Sequence, residues 1–340
     1  MPPTVQTASE VLAERLARPA PLAYPATAIR LDDGADLLPA LESLRARQHI
    51  VIGVLRAGAA PPAEVLAACD LVLAPDDRHP SAVGADDVDD GAERVLAAIA
   101  RNPHAATVLA DVLRATESAS VVDALHVESL AYSALLAGSE FAAWLEERPT
   151  RPVVVPDRPP VRVQRSGDEL RLTLDHPERR NAYSAAMRDG LVDALGLAEA
   201  DDTIARIVLA GAGPSFCAGG DLAEFGTNTD GAETHLLRTR GGAAAPLHRL
   251  ASRVEAVVHG HCIGAGIELP AFAATVRVQG DAVFRLPEVQ MGLIPGAGGT
   301  VSIPRRIGRH RTFWLAVTGT AIDTATALRW GLADAALPAP

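Results

Sequence analysis

The first quarter of the chain alternates between helical and strand-like patterns of hydrophobic residues. After Ile29, LLPALESLRAR has apolar residues at helical spacing, HIVIGVL is a continuous apolar run, PAEVLAACD is again helical, and LVLAP is strand-like. Continuous apolar runs are typical of strands buried on both faces, so we predict a parallel sheet layered with helices over residues 29–91. We interpret the acidic GADDVDDGAE as a solvated loop or a helix start, and residues 1–28 as an N-terminal segment without a clear pattern.

The next part of the chain, residues 92–148, shows only helical periodicity. Three stretches, AERVLAAIARN, AATVLADVLRAT and SVVDALHVESLAYSALLAGSEFAAWLEER, predict three or four amphipathic helices. Residues 149–160 are PTRPVVVPDRPP. Because proline fixes φ and blocks helix formation, we predict an extended linker there, which is the clearest boundary in the chain.

Residues 161–340 return to an α/β pattern. The segment VRVQRSGDELRLTLDHP predicts a β-hairpin that turns at Ser166-Gly167-Asp168, and it is followed by a helix, the buried strand ARIVLAGAG and the glycine-containing loop PSFCAGGDLAEF. We predict a helix over residues 237–250, a strand at RVEAVVHG, and a strand TVRV that ends in the turn QGD. The final segment predicts a helix, a turn and a helix.

Composition limits the possible partners. The chain has 340 residues, 48% of them hydrophobic, which is ample for a buried core, and its net charge of −11 would repel nucleic acid and anionic membrane surfaces. We therefore expect neither as a partner. All 31 basic residues are arginine, so an anionic ligand must be bound by arginine, histidine or backbone N–H groups.

The cysteines and the N-terminus indicate a cytoplasmic protein. Cys69, Cys217 and Cys262 form no CxxC pair, which argues against a disulfide framework or a cysteine metal site. The N-terminus has no signal-peptide pattern, and no apolar run of about 18 residues occurs. We expect a soluble cytoplasmic protein with no metal site.

Candidate chemistry is concentrated between residues 260 and 300. The small-residue loop Gly264-Ala265-Gly266 leads into an apolar segment that contains Glu268, and Glu288 follows 20 positions further along. Such a loop lets a backbone N–H approach a ligand, and two carboxylates beside it are suited to general acid–base catalysis on a polarised carbonyl. The alternative is two solvated surface acids, but the apolar flanks of both glutamates favour buried ones.

A second glycine-containing loop, AGGD at residues 218–221, offers another amide donor. If the N–H groups of Gly220 and Ala265 converge, they form an oxyanion hole for a carbonyl that gains negative charge. Two ordinary turns are the alternative interpretation.

Five ordered motifs together resemble the crotonase (enoyl-CoA hydratase/isomerase) superfamily. They are RLTLDHPERRNAYSAAM, IVLAGAGPSFCAGGDL, GHCIGAGIEL, FRLPEVQMGLIPGAGGT and TGTAIDTATALRWGLAD, and they cover essentially all of residues 161–340. The resemblance implies an α/β fold with a spiral ββα core that binds acyl-CoA thioesters. It also implies a homo-oligomer, a trimer or hexamer, and no cofactor, because CoA is part of the substrate.

The resemblance further implies roles for individual residues. The thioester oxygen would lie between the amides of Gly220 and Ala265, Glu268 would deprotonate water for attack at C3, and Glu288 would deliver a proton to C2. Family hydratases carry glutamate at both positions, as this chain does. The CoA nucleotide would lie along four consecutive residues and the pantetheine along two more: Arg180, Asn181, Ala182 and Tyr183, then Ala218 and Leu222.

Some positions depart from the family pattern. Ala265 replaces the usual second glycine, Pro270 follows closely after Glu268, Glu255 stands where the family strand has an aliphatic residue, and Ala274-Thr275 replaces the common Cys-Asp. These departures favour an unusual substrate or a lost activity.

The first half of the chain also bears on the site. The family core is normally followed by helices that close the active site, and the helical block at residues 92–148 resembles that missing tail, which would place Tyr132 and Leu136 against the substrate. Residues 29–91 resemble a degenerate copy of the centre of the core. A tandem duplication and convergence on a common α/β pattern both remain open for this segment.

The favoured function is hydration of a 2-enoyl-CoA to a 3-hydroxyacyl-CoA, a lyase reaction of the kind used in fatty acid metabolism. The alternatives are another reaction of the superfamily, such as double-bond isomerisation or C–C bond hydrolysis, and a non-catalytic or partner-dependent homologue. The sequence does not identify the acyl group.

Overall fold

The computed structural model describes residues 5–13, 25–31, 37–46, 49–76, 79, 81–149 and 151–338. The other residues of the predicted N-terminal segment, half-repeat, linker and core lie outside the described residues.

The N-terminal part forms a sheet of four parallel strands in the order β1-β2-β3-β4. Its strands and helices are, in chain order, α1 (Ala8–Ala13), β1 (Ala26–Arg30), α2 (Leu37–Ala46), β2 (Ile50–Val54), α3 (Ala63–Ala68), β3 (Leu71–Ala74) and β4 (Val83–Gly84). Every residue of β2 and β3 is buried, which explains their continuous apolar sequence. The predicted parallel α/β layer is confirmed, and the two-residue strand β4 is an addition that the sequence did not indicate.

Four helices follow, in agreement with the three or four predicted, but the first begins at Val88, before residue 92, so the acidic GADDVDDGAE contains a helix start. They are α4 (Val88–Arg101), α5 (Pro103–Ala115), α6 (Val121–Leu136) and α7 (Ser139–Glu146). Local sequence fixes where they start: the Asp87 carboxylate accepts the N–H groups of residues 89 and 90, Pro103 opens α5, and the Ser120 hydroxyl accepts the N–H of Asp123.

The C-terminal half contains a second sheet of seven strands, in which β10-β9-β8-β7-β6-β5 are neighbours in that order and β11 pairs with β9. Its strands are β5 (Val161–Ser166), β6 (Glu169–Leu174), β7 (Arg206–Gly211), β8 (Val254–Ile263), β9 (Thr275–Arg285), β10 (Ile322–Asp323) and β11 (Ala335–Leu337). Its helices are α8 (Ala185–Ala200), α9 (Gly231–Gly241), α10 (Ala244–Arg249), α11 (Ala265–Glu268), α12 (Gly299–Ile307), α13 (Arg309–Thr318) and α14 (Thr324–Trp330).

Two sequence predictions for this sheet have different outcomes. The hairpin is confirmed, because β5 and β6 pair antiparallel from Val161↔Leu174 to Ser166↔Glu169. The predicted turn at QGD is wrong, because β9 continues through it. The left-handed Gly280 (φ 65°) absorbs an irregularity in the pairing with β8, so the chain bulges and does not reverse. The predicted helix over 237–250 is two helices, α9 and α10, separated at residues 242–243.

The strand arrangement of the first sheet recurs in the second. Strands β7, β8, β9 and β11 are parallel neighbours in that order, as β1 to β4 are. A tandem duplication would leave this order and direction, and convergence on a common α/β pattern would give the same, so the degenerate half-repeat stays a prediction.

The N-terminal parts pack directly on the core. Helix α13 lies against β3, α4 and α5, and its Arg309 and Arg311 donate to the backbone carbonyls of Cys69 (2.6 Å) and Ala82 (3.1 Å). Helix α6 packs between α9, α10 and α12. The helical block therefore covers one side of the core instead of forming a separate body.

The unusual residues of the core have local explanations. Glu255 is on β8 and pairs with Arg206 (3.0 Å) and Arg277 (3.3 Å) on the neighbouring strands, so its charge is compensated. Pro270 begins a single turn of 3-10 helix, Pro270–Phe272, where its missing N–H costs no hydrogen bond. Neither departure disturbs the position of Glu268.

Candidate active site

One cavity of about 240 Å³ collects residues from the helical block and from the loops of the core. Its lining includes Tyr132, Leu136, Tyr183, Arg188, Gly220, Asp221, Phe225, Arg238, Ala265, Glu268 and Glu288. Both predicted amide donors, both predicted acids and both predicted tail residues thus surround the same space. A larger cavity, of about 510 Å³, lies beside Leu73 and Trp314 and contains none of the predicted site residues.

The two glycine-containing loops converge at this cavity. A methyl group placed on Gly219 would lie 3.1 Å from the carbonyl oxygen of Ile263, and one on Gly220 would lie 2.7 Å from the ring of Phe225. Within the described residues, the N–H groups of Gly220 and Ala265 donate to no protein acceptor. The two loops therefore present two available amide donors at one wall of the cavity.

Glycine is required where the second loop turns toward the acids. Gly264 has a φ of 50° and precedes α11, and a side chain on it would collide with Oε1 of Glu288. Ala265 itself opens the helix and tolerates its methyl group, which is buried. The replacement of the usual glycine at 265 is thus accommodated without moving the N–H.

Glu268 is fixed by the start of α12. Its side chain is 2% exposed, and its Oε2 accepts the backbone N–H groups of Ala297 (2.7 Å) and Gly299 (2.9 Å). Burial and the neighbouring carboxylates of Glu288 and Glu128 raise its pKa well above the ordinary value. The two N–H donors act in the opposite direction and stabilise the ionised form.

Glu288 occupies a different environment. It begins a short 3-10 helix, Glu288–Met291, directly after β9, and its Oε2 is buried without a hydrogen-bond partner among the described residues. Burial raises the pKa of Glu288 to about 8, with a contribution from the charge of Glu128 and an opposing one from Arg285. This carboxyl is therefore suited to hold a proton at neutral pH.

A third buried carboxylate, Glu128 on α6, was missed by the sequence analysis. It is 2% exposed and accepts the N–H of Gly298 (2.8 Å) and both the N–H (2.9 Å) and the hydroxyl (2.7 Å) of Thr300. Consecutive N–H groups from 297 to 300 thus donate alternately to Glu268 and Glu128. The sequence carried only a weak signal, since Glu128 lies in a largely apolar helix between Val127 and Ser129, and nothing in it showed which surface α6 covers.

The raised pKa of Glu288 predicts a pH-dependent stability change on substitution. The Glu288 carboxyl has a pKa of about 8 in the folded state, against 4.5 ordinarily. Its contribution to the free energy of unfolding is least favourable at high pH, because the folded state must then ionise a buried group. We expect Glu288→Gln to raise the free energy of unfolding by on the order of 2 kcal/mol or more at about pH 9, and to change it little at about pH 5.

Thermal melts of both proteins at the two pH values measure this effect, with Glu146→Gln as the control, because Glu146 is an exposed glutamate on α7. An equal change in melting temperature at both pH values would contradict the assigned pKa of Glu288.

The helical block contributes apolar and aromatic groups near the acids. Tyr132 and Leu136 of α6 line the cavity, and the Tyr132 ring lies against Gly296. Phe141 of α7 is buried and stacks with Trp144, and both rings contact Phe225 of the core. The structure therefore places the predicted tail residues beside the acids, and their contact with a substrate stays a prediction.

The six residues predicted along CoA differ in their positions. Among them, only Tyr183 lines the cavity. Asn181 is fully buried, and its amide donates to the carbonyls of Ala212, Ser215 and Phe216, so its side chain holds the loop together and does not face a ligand. Arg180 and Leu222 are exposed, and Ala182 and Ala218 are half-buried. Contact of these four with CoA stays a prediction.

Three other features matter in the described part of the chain: reactive cysteines, metal-binding groups and membrane-spanning helices. Cys69, Cys217 and Cys262 are buried thiols, and burial raises the pKa of Cys217 to about 12. No group of three or more metal-binding side chains is found among the described residues. No described helix combines the length and the hydrophobicity needed to cross a bilayer.

Comparison with known proteins points to one family. The enoyl-CoA hydratase/isomerase family model matches residues 169–340. Similar curated proteins include mevalonyl-coenzyme A hydratase sidH of Aspergillus fumigatus, 32% identical over 165 residues (48% of this chain, 61% of that protein). Two from Escherichia coli are each 35% identical: 1,2-epoxyphenylacetyl-CoA isomerase over 167 residues (48% and 64%) and 2,3-dehydroadipyl-CoA hydratase over 176 residues (52% and 68%).

Among solved structures, an enoyl-CoA hydratase of Mycobacterium smegmatis is 30% identical, with a TM-score of 0.49 over 53% of this chain and 71% of that one. The matched part of the chain spans 61% to 64% of the length of the first three curated relatives.

Proposed function

Because the chain belongs to the enoyl-CoA hydratase/isomerase family, we propose that it adds water to the double bond of a 2-enoyl-CoA thioester. One observation carries this proposal: Glu268, Glu288 and the amides of Gly220 and Ala265 line the same cavity. Hydration of a conjugated thioester needs a base, an acid and donors for a thioester oxygen that gains negative charge. The cavity supplies all of them.

The amides of Gly220 and Ala265 form the proposed oxyanion hole. Hydrogen bonds from both N–H groups to the thioester oxygen would withdraw electrons from the conjugated double bond and make C3 electrophilic. Because the donors are backbone groups fixed by loop packing, they require no reorganisation when charge develops. Each such donor contributes about 3 kcal/mol of transition-state stabilisation in well-formed oxyanion holes.

The hydrogen-bond partners of the two acids suggest which one carries the proton. Glu268 accepts two backbone N–H groups, which stabilise a negative charge, while Oε2 of Glu288 has no acceptor or donor within the described residues. Burial and the charge of Glu288 raise the pKa of Glu268 strongly, which by itself would place the proton on Glu268. We give more weight to the two fixed N–H donors at Glu268, and therefore assign the ionised carboxylate to Glu268 and the protonated carboxyl to Glu288. Two acids that interact this closely titrate as a pair, with one proton between them at neutral pH.

The proposed reaction then balances. Glu268 removes a proton from water as the water oxygen bonds to C3, and Glu288 transfers its proton to C2. The product is a 3-hydroxyacyl-CoA, and exchange of one proton between the two carboxyls and solvent restores the starting state. Hydratase names occur among the similar curated proteins, which supports this reaction, but isomerase names occur among them as well.

The test is direct spectrophotometry of the purified chain with a panel of 2-enoyl-CoA esters. Hydration removes the conjugated absorbance, and mass spectrometry of the product should show the addition of one water. Glu146→Gln, which alters an exposed acid on α7, should behave as the unaltered protein does. A product of unchanged mass with a shifted double bond would replace the hydratase proposal with isomerisation, and no turnover of any ester would contradict both.

A further inference from the structure

The cavity contains an arginine for which the proposed hydration has no use. Arg238 of α9 lines the cavity together with Glu268 and Glu288, and it also lines an adjoining cavity of about 60 Å³ next to Glu128 and Gly298. We infer that Arg238 binds a carboxylate at the far end of the acyl group, so that the substrate is the CoA thioester of a dicarboxylic acid. This inference rests on the proposed function, whose acyl-binding space it specifies.

The charge of Arg238 has no ion-pair partner in the described part of the chain, whereas two other arginines of this region have one. Arg179 pairs with Asp221 at 2.7 Å and Arg188 pairs with Asp189 at 2.6 Å. No carboxylate of the described residues lies within 4.0 Å of the Arg238 guanidinium. A partly buried cation without a counter-ion is costly, and an anionic ligand would remove that cost.

The surroundings of Arg238 agree with an uncompensated charge. Burial lowers its pKa, and the interactions with Tyr132 and with the more distant Glu128 offset this only in part. Glu128 cannot approach as a partner, because Gly298 and Thr300 already use both of its oxygens. The positive charge is therefore directed toward the cavity, and no described acid neutralises it.

The guanidinium is also held in a fixed orientation. Its Nε donates to the hydroxyl of Ser129 at 3.1 Å, and its Nη2 donates to the carbonyl of Ser129 at 3.1 Å and to the hydroxyl of Ser133. Its Cζ lies 4.6 Å above the centre of the Tyr132 ring. No protein acceptor is found for Nη1 among the described residues, so the group is preorganised with donor capacity remaining.

The size and composition of the cavity favour an acyl carboxylate over a phosphate of CoA as the anion. The cavity has a volume of about 240 Å³, and its lining includes the apolar side chains of Leu136, Phe225 and Leu237, which suit an acyl chain better than a nucleotide. A short acyl group fits in this space, whereas a nucleotide with its phosphates does not. The reacting carbons would lie between Glu268 and Glu288, and Arg238 lines the same cavity as both acids, so the far end of the same acyl chain shares this space with the guanidinium.

The kinetic test compares matched substrates that differ only in their far end. The pairs are 2-enoyl-CoA esters of four, six and eight carbons that end in a carboxylate or in a methyl group. For at least one length we expect kcat/KM to favour the carboxylate by about tenfold or more, and Arg238→Met to bring the ratio close to one. Arg238→Lys, which keeps the charge but loses the planar fork, should give an intermediate ratio.

Arg240→Met is the matched control, because Arg240 is an exposed arginine on the same helix. It should keep the ratio of the unaltered protein. A ratio near one in the unaltered protein at every length, or an equal loss for both substrates in Arg238→Met, would overturn the inference.

A binding measurement separates this inference from the proposed reaction. Dissociation constants for saturated hexanedioyl-CoA, hexanoyl-CoA and free CoA require no turnover. Selective weakening of hexanedioyl-CoA in Arg238→Met supports the carboxylate site even if no ester is hydrated. Equal weakening of all three ligands would show that Arg238 binds the phosphates of CoA or maintains the fold, and would overturn it. If alkyl esters are hydrated and the unaltered protein binds hexanedioyl-CoA no more tightly than hexanoyl-CoA, the proposed function remains and the inference is removed.

Discussion

Glu268→Gln and Glu288→Gln should each lower kcat for 2-enoyl-CoA hydration at least about a hundredfold, because general acid and general base groups typically contribute that much. Glutamine has nearly the same shape as glutamate, so the cavity should still accept the thioester. In Glu268→Gln, the new side-chain oxygen can still accept the N–H groups of Ala297 and Gly299, but the amide cannot take a proton from water. In Glu288→Gln, the new side chain has no acidic proton to give to C2.

Initial rates and CoA-ester binding, measured in parallel, separate loss of chemistry from loss of binding. We expect dissociation constants for saturated acyl-CoA esters to change by less than about threefold, because uniform binding does not depend on proton transfer. The double variant should be little slower than either single variant, since the two acids act in one step. Full turnover in both single variants would remove the hydratase proposal.

The family and the core fold were predictable from sequence because the motifs encode backbone requirements. Gly264 must adopt a left-handed φ beside Glu288, and Gly220 must leave room for Phe225. Such positions accept almost no other residue, so their spacing is informative even without an alignment. The resemblance to the family and the α/β class are confirmed for this reason, whereas the roles of individual site residues stay predictions.

Features that depend on long-range packing were not predictable in the same way. The segment QGD has the composition of a turn, but the pairing of β9 with β8 continues on both sides of it and outweighs the local preference. Strand β4 is only two residues long and depends on its neighbour β3. Arg238 is one of many arginines in the sequence, and its lack of a described ion-pair partner becomes visible only when α6 and α9 are placed together.

The resemblance to a displaced tail placed the helical block against the core, as the structure has it, but it did not identify Glu128. Aromatic residues of a tail are expected near an acyl pocket, so Tyr132 and Leu136 were proposed from sequence. Glu128 lies one helical turn before Tyr132, yet its partners are 170 and 172 positions away in sequence. Its role depends on the start of α12, which also holds Glu268, and this connection makes it the subject of a separate prediction.

Glu128→Ala should lower the free energy of unfolding by about 3 kcal/mol or more. The substitution leaves three buried donors, the N–H groups of Gly298 and Thr300 and the Thr300 hydroxyl, without their acceptor, and each such loss costs about 1–3 kcal/mol. Chemical denaturation measures the change. Thr300→Val, which removes only the hydroxyl donor, is the matched partial substitution and should cost less than half as much. A stability loss in Glu128→Ala no larger than that in Thr300→Val would contradict the hydrogen-bond assignment.

Glu128→Gln tests whether this residue also acts on the acids electrostatically. Burial raises the pKa of Glu128 to about 7, so it is charged mainly above that pH, where its charge raises the pKa of Glu288. Arg285 also acts on Glu288 and lowers its pKa, and this charge is the same in both proteins. Tyr132, which interacts with Glu288 too, stays neutral in this range because burial raises its pKa. Without the charge of Glu128, Glu288 should lose its proton at lower pH, so the alkaline limb of kcat/KM should move down by about one pH unit. An unmoved alkaline limb would mean that Glu128 only holds the start of α12. An alkaline limb at lower pH would mean that Glu128 on α6, which precedes the core in sequence, raises the pKa of Glu288 within the core.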